Sequence, residues 1–178
     1  QKDNLRDYFW INKRLNRQVL QQLLKIAQDV INFVELGADP EDITITGSIA
    51  SYNWHELSDI DLHIIVDFRK INEDIKIVKS MLNQFRINWN KAHDILIGEE
   101  GKEHEVEIYF QDLNEQHSSL GVYSLMSNQW LIEPSKVNVD LDLPNIEKKA
   151  QAIAQNIEHV YDLFKKNNFE EAYKYASK

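Results

Sequence analysis

The chain has 178 residues, 43% of them hydrophobic and 10% aromatic, with a formal net charge of −9. That is the composition of one folded domain, or of one domain with a small helical appendage, long enough to bury a core. The acidic balance argues against a broad electrostatic footprint on DNA or RNA, which needs clustered Lys and Arg, but not against a small nucleotide. With no cysteine there is neither a disulfide framework nor a thiolate metal site, which is compatible with the cytoplasm. No apolar run approaches the ~20 residues of a membrane span, and no signal peptide is expected. A first residue Gln1 in place of Met is what a processed, trimmed or excised chain shows.

Residues 1–10 are polar and end in Tyr8, Phe9 and Trp10, which reads as an ordered lead-in against a first helix. From Asn12 to Leu36, Leu15, Val19, Leu23, Ile26, Val30 and Val34 recur at steps of three and four, the period of an amphipathic helix. Gly37 is the expected stop, with Pro40 beyond it. Ile43–Thr46 reads as a short strand, and a helix is expected to start at Ser48. Ile60–Val66 reads as a second strand closed by Asp67-Phe68. A second amphipathic helix follows from Asn72 to about Ala92, carried by Ile75, Val78, Leu82, Phe85 and Trp89. Glu99-Glu100-Gly101-Lys102 predicts a hairpin turn between Ile95–Ile97 and Glu105–Phe110. Residues 111–121 are loop-like, with strands expected at Val122–Leu125 and Trp130–Ile132. Pro144 suits a first helical turn, and Ile146 to Phe164 mark a third amphipathic helix, broken at Asn167-Asn168 before a last one over Phe169–Ala176.

The chemistry concentrates in Ile43-Thr44-Ile45-Thr46-Gly47-Ser48, ten further residues, and then Asp59-Ile60-Asp61-Leu62-His63-Ile64-Ile65-Val66. Side chains alternate along a strand, so Asp59, Asp61 and His63 share one face while Ile60, Leu62, Ile64 and Val66 take the other. Two neighbouring carboxylates repel, and burial penalises both. A divalent cation removes that conflict, and oxygen-only ligands suit Mg²⁺ or Mn²⁺. The Gly47-Ser48 turn offers backbone N–H groups that can approach a phosphate closely because glycine has no Cβ. A lone Asp-x-Asp is commonly just solvated, and a lone Gly-Ser turn is ordinary; the order and spacing together are more specific.

Gly47-Ser48 followed by Ser58-Asp59-Ile60-Asp61-Leu62 resembles the signature of the DNA polymerase beta-like nucleotidyltransferase superfamily. The wording is most similar to the minimal nucleotidyltransferases of microbes and their viruses, so a bacterial or bacteriophage member is implied. That pattern also expects a third carboxylate between apolar residues on a later strand, and Val106-Glu107-Ile108 matches it. The likeness covers roughly residues 42–112. It implies an α/β (α+β) nucleotidyltransferase fold, a small mixed sheet flanked by helices; the order of elements along the chain sets that domain over 1–140, with a C-terminal helical segment over 141–178 expected to pack on it. It further implies transfer of a nucleoside monophosphate from a nucleoside triphosphate such as ATP to an acceptor, releasing pyrophosphate. Asp59, Asp61 and Glu107 would be the catalytic and Mg²⁺- or Mn²⁺-binding residues, and Gly47 and Ser48 the nucleotide-binding ones. A protein or small-molecule acceptor suits the acidic chain better than a long nucleic acid. Many antitoxin-type members carry Arg or Lys soon after Gly-Ser; this chain has none there. A non-catalytic nucleotide- or partner-binding module on the same fold and a nucleotide second-messenger synthase are the alternatives.

Other residues carry two readings each. His63 could touch metal or acceptor, but a histidine there more often packs and hydrogen-bonds a neighbour. His117 lies in a polar stretch that either borders the pocket or merely connects strands. Tyr52 and Trp54 either stack on a base or acceptor ring or pack internally. His55, His93, His104, His117 and His159 lack the spacing of a zinc site.

Overall fold

The computed structural model describes residues 1–136 and 143–176. The chain divides into two compact units, Gln1–Lys136 and Val137–Lys178. The first is a mixed α+β unit built on a six-stranded sheet; five helices are described over the two units.

The central strand is β4 (Ile60–Val66), and its sequence explains why. Ile60, Leu62, Ile64 and Val66 are wholly buried on one face, while Asp61 and His63 occupy the other. β4 pairs antiparallel with β3 (Asp42–Thr46) and parallel with β6 (Lys102–Asp112). β5 (Leu96–Glu99), β7 (Val122–Ser124) and β8 (Gln129–Ile132) complete the order β5-β6-β4-β3-β7-β8. The expected turn between β5 and β6 is present: Glu99 pairs with Lys102, and Gly101 takes a φ of +77°. The apolar face of the sheet shares one core with Val19, Leu23, Ala27 and Val30 of α1 (Arg17–Val34) and with Val78 and Leu82 of α3 (Ile75–Ala92).

Helix boundaries follow local chemistry that periodicity does not report. α1 begins at Arg17, five residues later than the apolar pattern predicts, because Trp10–Ile11 (β1) and Arg14–Leu15 (β2) form a small hairpin first. Its turn residues Asn12 and Lys13 both have positive φ, 50° and 60°, the condition for a tight two-residue hairpin turn. The Asn16 side chain then caps the helix by accepting from the Gln18 N–H at 3.0 Å. The helix stops at a left-handed Glu35 (φ 48°), two residues before Gly37. Asp67 does not extend β4. It caps the four-residue α2 (Phe68–Ile71) by accepting from Arg69 N–H.

The helix expected at Ser48 is absent, and hydrogen-bonded turns occupy residues 47–50. The carbonyls it would need are already taken. The Ser51 N–H and hydroxyl both donate to Ser48 O at 3.0 Å, and the Trp10 indole donates to Ile49 O at 2.8 Å. Gly121 then meets Ala50 so closely that a Cβ there would lie 1.9 Å from the Ala50 carbonyl oxygen.

In the second unit, α4 (Leu143–Lys165) and α5 (Phe169–Ala176) form a helical hairpin. Asn167 turns the chain with a φ of 58°, and Phe164 meets Phe169 edge-on. No helix among the described residues is long and apolar enough to cross a membrane.

Past β5, the outer edge of β6 is closed by a side chain. Asn90 of α3 accepts from the Ile108 N–H at 3.0 Å and donates to the Ile108 carbonyl at 3.2 Å, replacing a missing strand partner. Asn90→Ala leaves both groups of a buried residue unpaired. A loss of about 1–2 kcal/mol is expected in urea unfolding, and a change within about 0.3 kcal/mol would contradict this role.

Candidate active site

Register on the polar face of the sheet decides which side chains meet. Asp61 is paired with Thr46 on one side and Glu107 on the other, so Thr46, Asp61 and Glu107 form one row across three strands. The next row is Ser124, Thr44, His63 and Tyr109. Asp59 stands exposed just before β4, two positions from Asp61, and Glu105 stands two positions before Glu107. The three predicted carboxylates therefore lie at the end of the β4–β6 ladder where β4 begins.

The Gly47-Ser48 turn closes over that end. Gly47 has a φ of +76°, and a Cβ on it would fall 1.9 Å from Asp61 Oδ2. Both the backbone conformation and the space demand glycine at this position. The ends of the 47–59 link are pinned together by the Ser48 hydroxyl, which donates to Ser58 Oγ at 2.7 Å. Ser58 is anchored in turn: its Oγ accepts from His55 N–H, and its carbonyl bonds Nδ1 of the buried His104 at 2.6 Å. Ser48 is thus in place beside the carboxylates, but its hydroxyl proton is committed to Ser58.

No described ion pair involves Asp59, Asp61 or Glu107. Burial, then Glu107, then Asp59 push the Asp61 carboxyl up to about 6. Glu105 is also raised, by desolvation and then by Asp94, Asp59 and Glu107. Glu107 finds its partner on its own strand, accepting from the Tyr109 hydroxyl at 2.5 Å. Burial and the Glu107 carboxylate hold the Tyr109 hydroxyl protonated, well above its ordinary range. As the side chains stand, no three His, Asp or Glu groups among the described residues converge tightly enough to hold a metal ion. The donors are nevertheless of the right kind: hard carboxylate oxygens, mutually repelling and without a described cationic partner.

His63 is occupied by the protein. Thr46 Oγ1 lies 3.1 Å from Nε2 and Gln111 Oε1 lies 2.9 Å from Nδ1, while the Tyr109 ring stacks on the imidazole at 5.0 Å. Burial lowers its pKa, leaving a neutral ring for which donation from Nδ1 to Gln111 is the consistent tautomer. Gln111 continues to the Glu115 carbonyl at 3.2 Å and to His117 Nδ1 at 3.4 Å. His117 therefore borders a cavity of about 260 Å³ beside His63. Tyr52 and Trp54 are engaged elsewhere: the Trp54 indole donates to Asn4 O, and Lys2 and Arg6 lie over its ring. Lys136 lies over the Tyr52 ring, whose backbone carbonyl accepts from Lys2. Thr46, Tyr109 and Gln111 are the contributors the motif reading missed, although counting two and four residues on from Glu107 along its strand reaches the latter pair.

Linkage tests the crowding of the carboxylates directly. The Asp61 pKa is higher folded than the ~3.9 of an unfolded chain, so the native state binds more protons between about pH 4 and 6 and loses stability as pH rises through that window. In EDTA above pH 6, Asp61→Asn is expected to be more stable than wild type by roughly 1 kcal/mol, after allowance for the solvent that still reaches the group. Below pH 4 the advantage should vanish. A variant less stable at every pH would contradict the account. No family model matches the chain, and no curated protein or solved structure matches it either, so the reading of this site rests on its own geometry.

Proposed function

We propose that the chain is a nucleotidyltransferase of the DNA polymerase beta-like kind, transferring a nucleoside monophosphate from a nucleoside triphosphate to an acceptor hydroxyl. One observation carries the reading. A glycine turn lies directly against the Asp61 carboxylate, with Glu107 beside it across the ladder and no described cation balancing either.

Asp59, Asp61 and Glu107 would hold Mg²⁺ or Mn²⁺, which when bound would neutralise triphosphate charge and polarise the α-phosphate. The remaining work belongs to the chain. The Gly47 and Ser48 N–H groups would orient the phosphates, and the pinned 47–59 link would keep them in place during attack. The acceptor oxygen forms a bond to the α-phosphorus while the bond to the β-phosphate bridging oxygen breaks. Pyrophosphate leaves with that electron pair, and the hydroxyl proton passes to the Glu107 carboxylate. Tyr109, bonded to Glu107, orients this base. The net charge of −9 favours a protein or small-molecule acceptor over a long nucleic acid. The need for triphosphate and Mg²⁺ would suit a cytoplasmic reaction.

A second reading has its own support. Because Glu107 is turned to Tyr109 and the three carboxylates do not converge, a module that binds nucleotide or a partner without catalysis is the alternative. Thermal unfolding with each nucleoside triphosphate, with and without Mg²⁺ or Mn²⁺, tests the donor site. A ligand at about a hundred times its dissociation constant adds ~2.7 kcal/mol, a rise of about 5–10 °C for a chain of this size. The rise should need metal, favour particular bases and disappear in Asp59→Ala/Asp61→Ala. No rise with any triphosphate would overturn the enzyme reading.

A further inference from the structure

Helix α3 presents a basic stripe beside the candidate site. Lys76, Lys79, Asn83 and Arg86 recur at steps of three and four and so share one helix face. Together with Tyr109 and Phe110 of β6 they line a cavity of about 510 Å³. No acidic side chain lines it, a local reversal of sign in a chain with 29 acidic and 20 basic residues. Of the three cations, only Lys79 has a described ion pair, with Glu115 at 2.9 Å. Arg86 is held rigid: it lies 4.7 Å over the Tyr109 ring and donates from Nε and Nη2 to Asn83 Oδ1 at 3.2 and 3.0 Å. The smaller cavity beside His63 adjoins this one and shares Lys79, Tyr109 and Phe110 with it.

Two features define what fits. The volume is that of a small-molecule pocket, which typically runs ~300–1,000 Å³. Cations along one wall select an anion, and Phe110, with the edge of Tyr109, offers apolar surface against which a ring can pack; the faces of Tyr109 are taken by His63 and Arg86. Tyr109 connects the groove to the chemistry, because it lines the cavity while its hydroxyl bonds Glu107.

We propose that the α3–β6 groove is the acceptor site, and that the acceptor is a ring-bearing phosphorylated small molecule. Its phosphate sits on Lys76, Lys79 and Arg86, its ring packs against Phe110 and the edge of Tyr109, and its hydroxyl reaches past Tyr109 to Glu107. This rests on the nucleotidyltransferase reading above and names the substrate class of the same site. The basic side chains position the acceptor and make no bond; bond formation, pyrophosphate release and proton transfer to Glu107 are as already described.

Binding is tested in EDTA, where the carboxylates repel anions and the groove is read alone. Adenosine 5′-monophosphate, inorganic phosphate and adenosine are the three probes, followed by ¹H–¹⁵N NMR. The monophosphate should shift amides along 76–86 and at 109–110, and bind about tenfold or more tighter than either fragment. Lys76→Glu/Lys79→Glu should weaken it about tenfold, with the circular dichroism spectrum retained as a fold control. Arg86→Gln, which keeps a hydrogen-bonding group over Tyr109, should give an independent loss. Shifts confined to residues 47–61, equal binding of inorganic phosphate, or unchanged affinity in both folded variants would overturn the proposal. If the groove binds but triphosphate never stabilises the protein with metal, the donor reading fails and the acceptor role falls with it. If triphosphate stabilises it and the groove binds nothing, the groove proposal alone fails.

Discussion

The contact between Gly47 and the Asp61 carboxylate organises this molecule. A strand that is apolar on one face can be buried by α1 and α3, but only if its polar face is handled separately. Here the chain handles it by folding the 47–59 link back on itself, so that a glycine without a side chain lies against the carboxylate at 1.9 Å from where a Cβ would be. Ser48, Ser58 and the buried His104 hold that link shut. This closure delivers the turn, Asp59 and Asp61 to one end of β4, and register with β6 brings Glu107 beside them.

The cost of the arrangement is electrostatic. Asp61 is carried far above the usual carboxylate range because burial and two neighbouring acids act on it together. A carboxylate perturbed by desolvation together with neighbouring acids is a recognised mark of function. The layer beside them behaves differently. His63, Thr46, Gln111 and His117 satisfy one another in a continuous network, while Tyr109 couples that network, by stacking, to Glu107, by hydrogen bonding. The groups around His63 are satisfied by one another, Asp61 has no such partner, and the Asp61–Glu107 row is the one with the donors for a hard cation.

Much of this was legible from residue order. Alternation through Asp59–Val66 assigns β4 its two faces, and Glu99-Glu100-Gly101-Lys102 places the β5–β6 turn. Thr46, Asp61 and Glu107 become neighbours only through strand register, which no local pattern states. The apolar period sets the start of the first helix too early because Asn12-Lys13 makes a hairpin turn without the glycine that usually signals one. The helix at Ser48 failed for a long-range reason: Trp10, 39 positions away, takes the carbonyl of Ile49. Asn90 closing the β6 edge, and the basic stripe of α3 facing Tyr109, belong to the same class. Each needs the packing of α3 on β6 before the residues have any meaning together.

If the Asp61–Glu107 row exists to take a cation, that cation must bind through these two carboxylates. Electron paramagnetic resonance titration of Mn²⁺, with and without nucleoside triphosphate, measures this most directly. Wild type should bind Mn²⁺, more tightly with triphosphate present. Asp61→Asn and Glu107→Gln should each weaken that binding by roughly tenfold or more, a loss of about 1.4 kcal/mol or greater. If Mn²⁺ binds all three proteins alike, or none of them even with triphosphate, the carboxylate row is not a metal centre and the central claim is wrong.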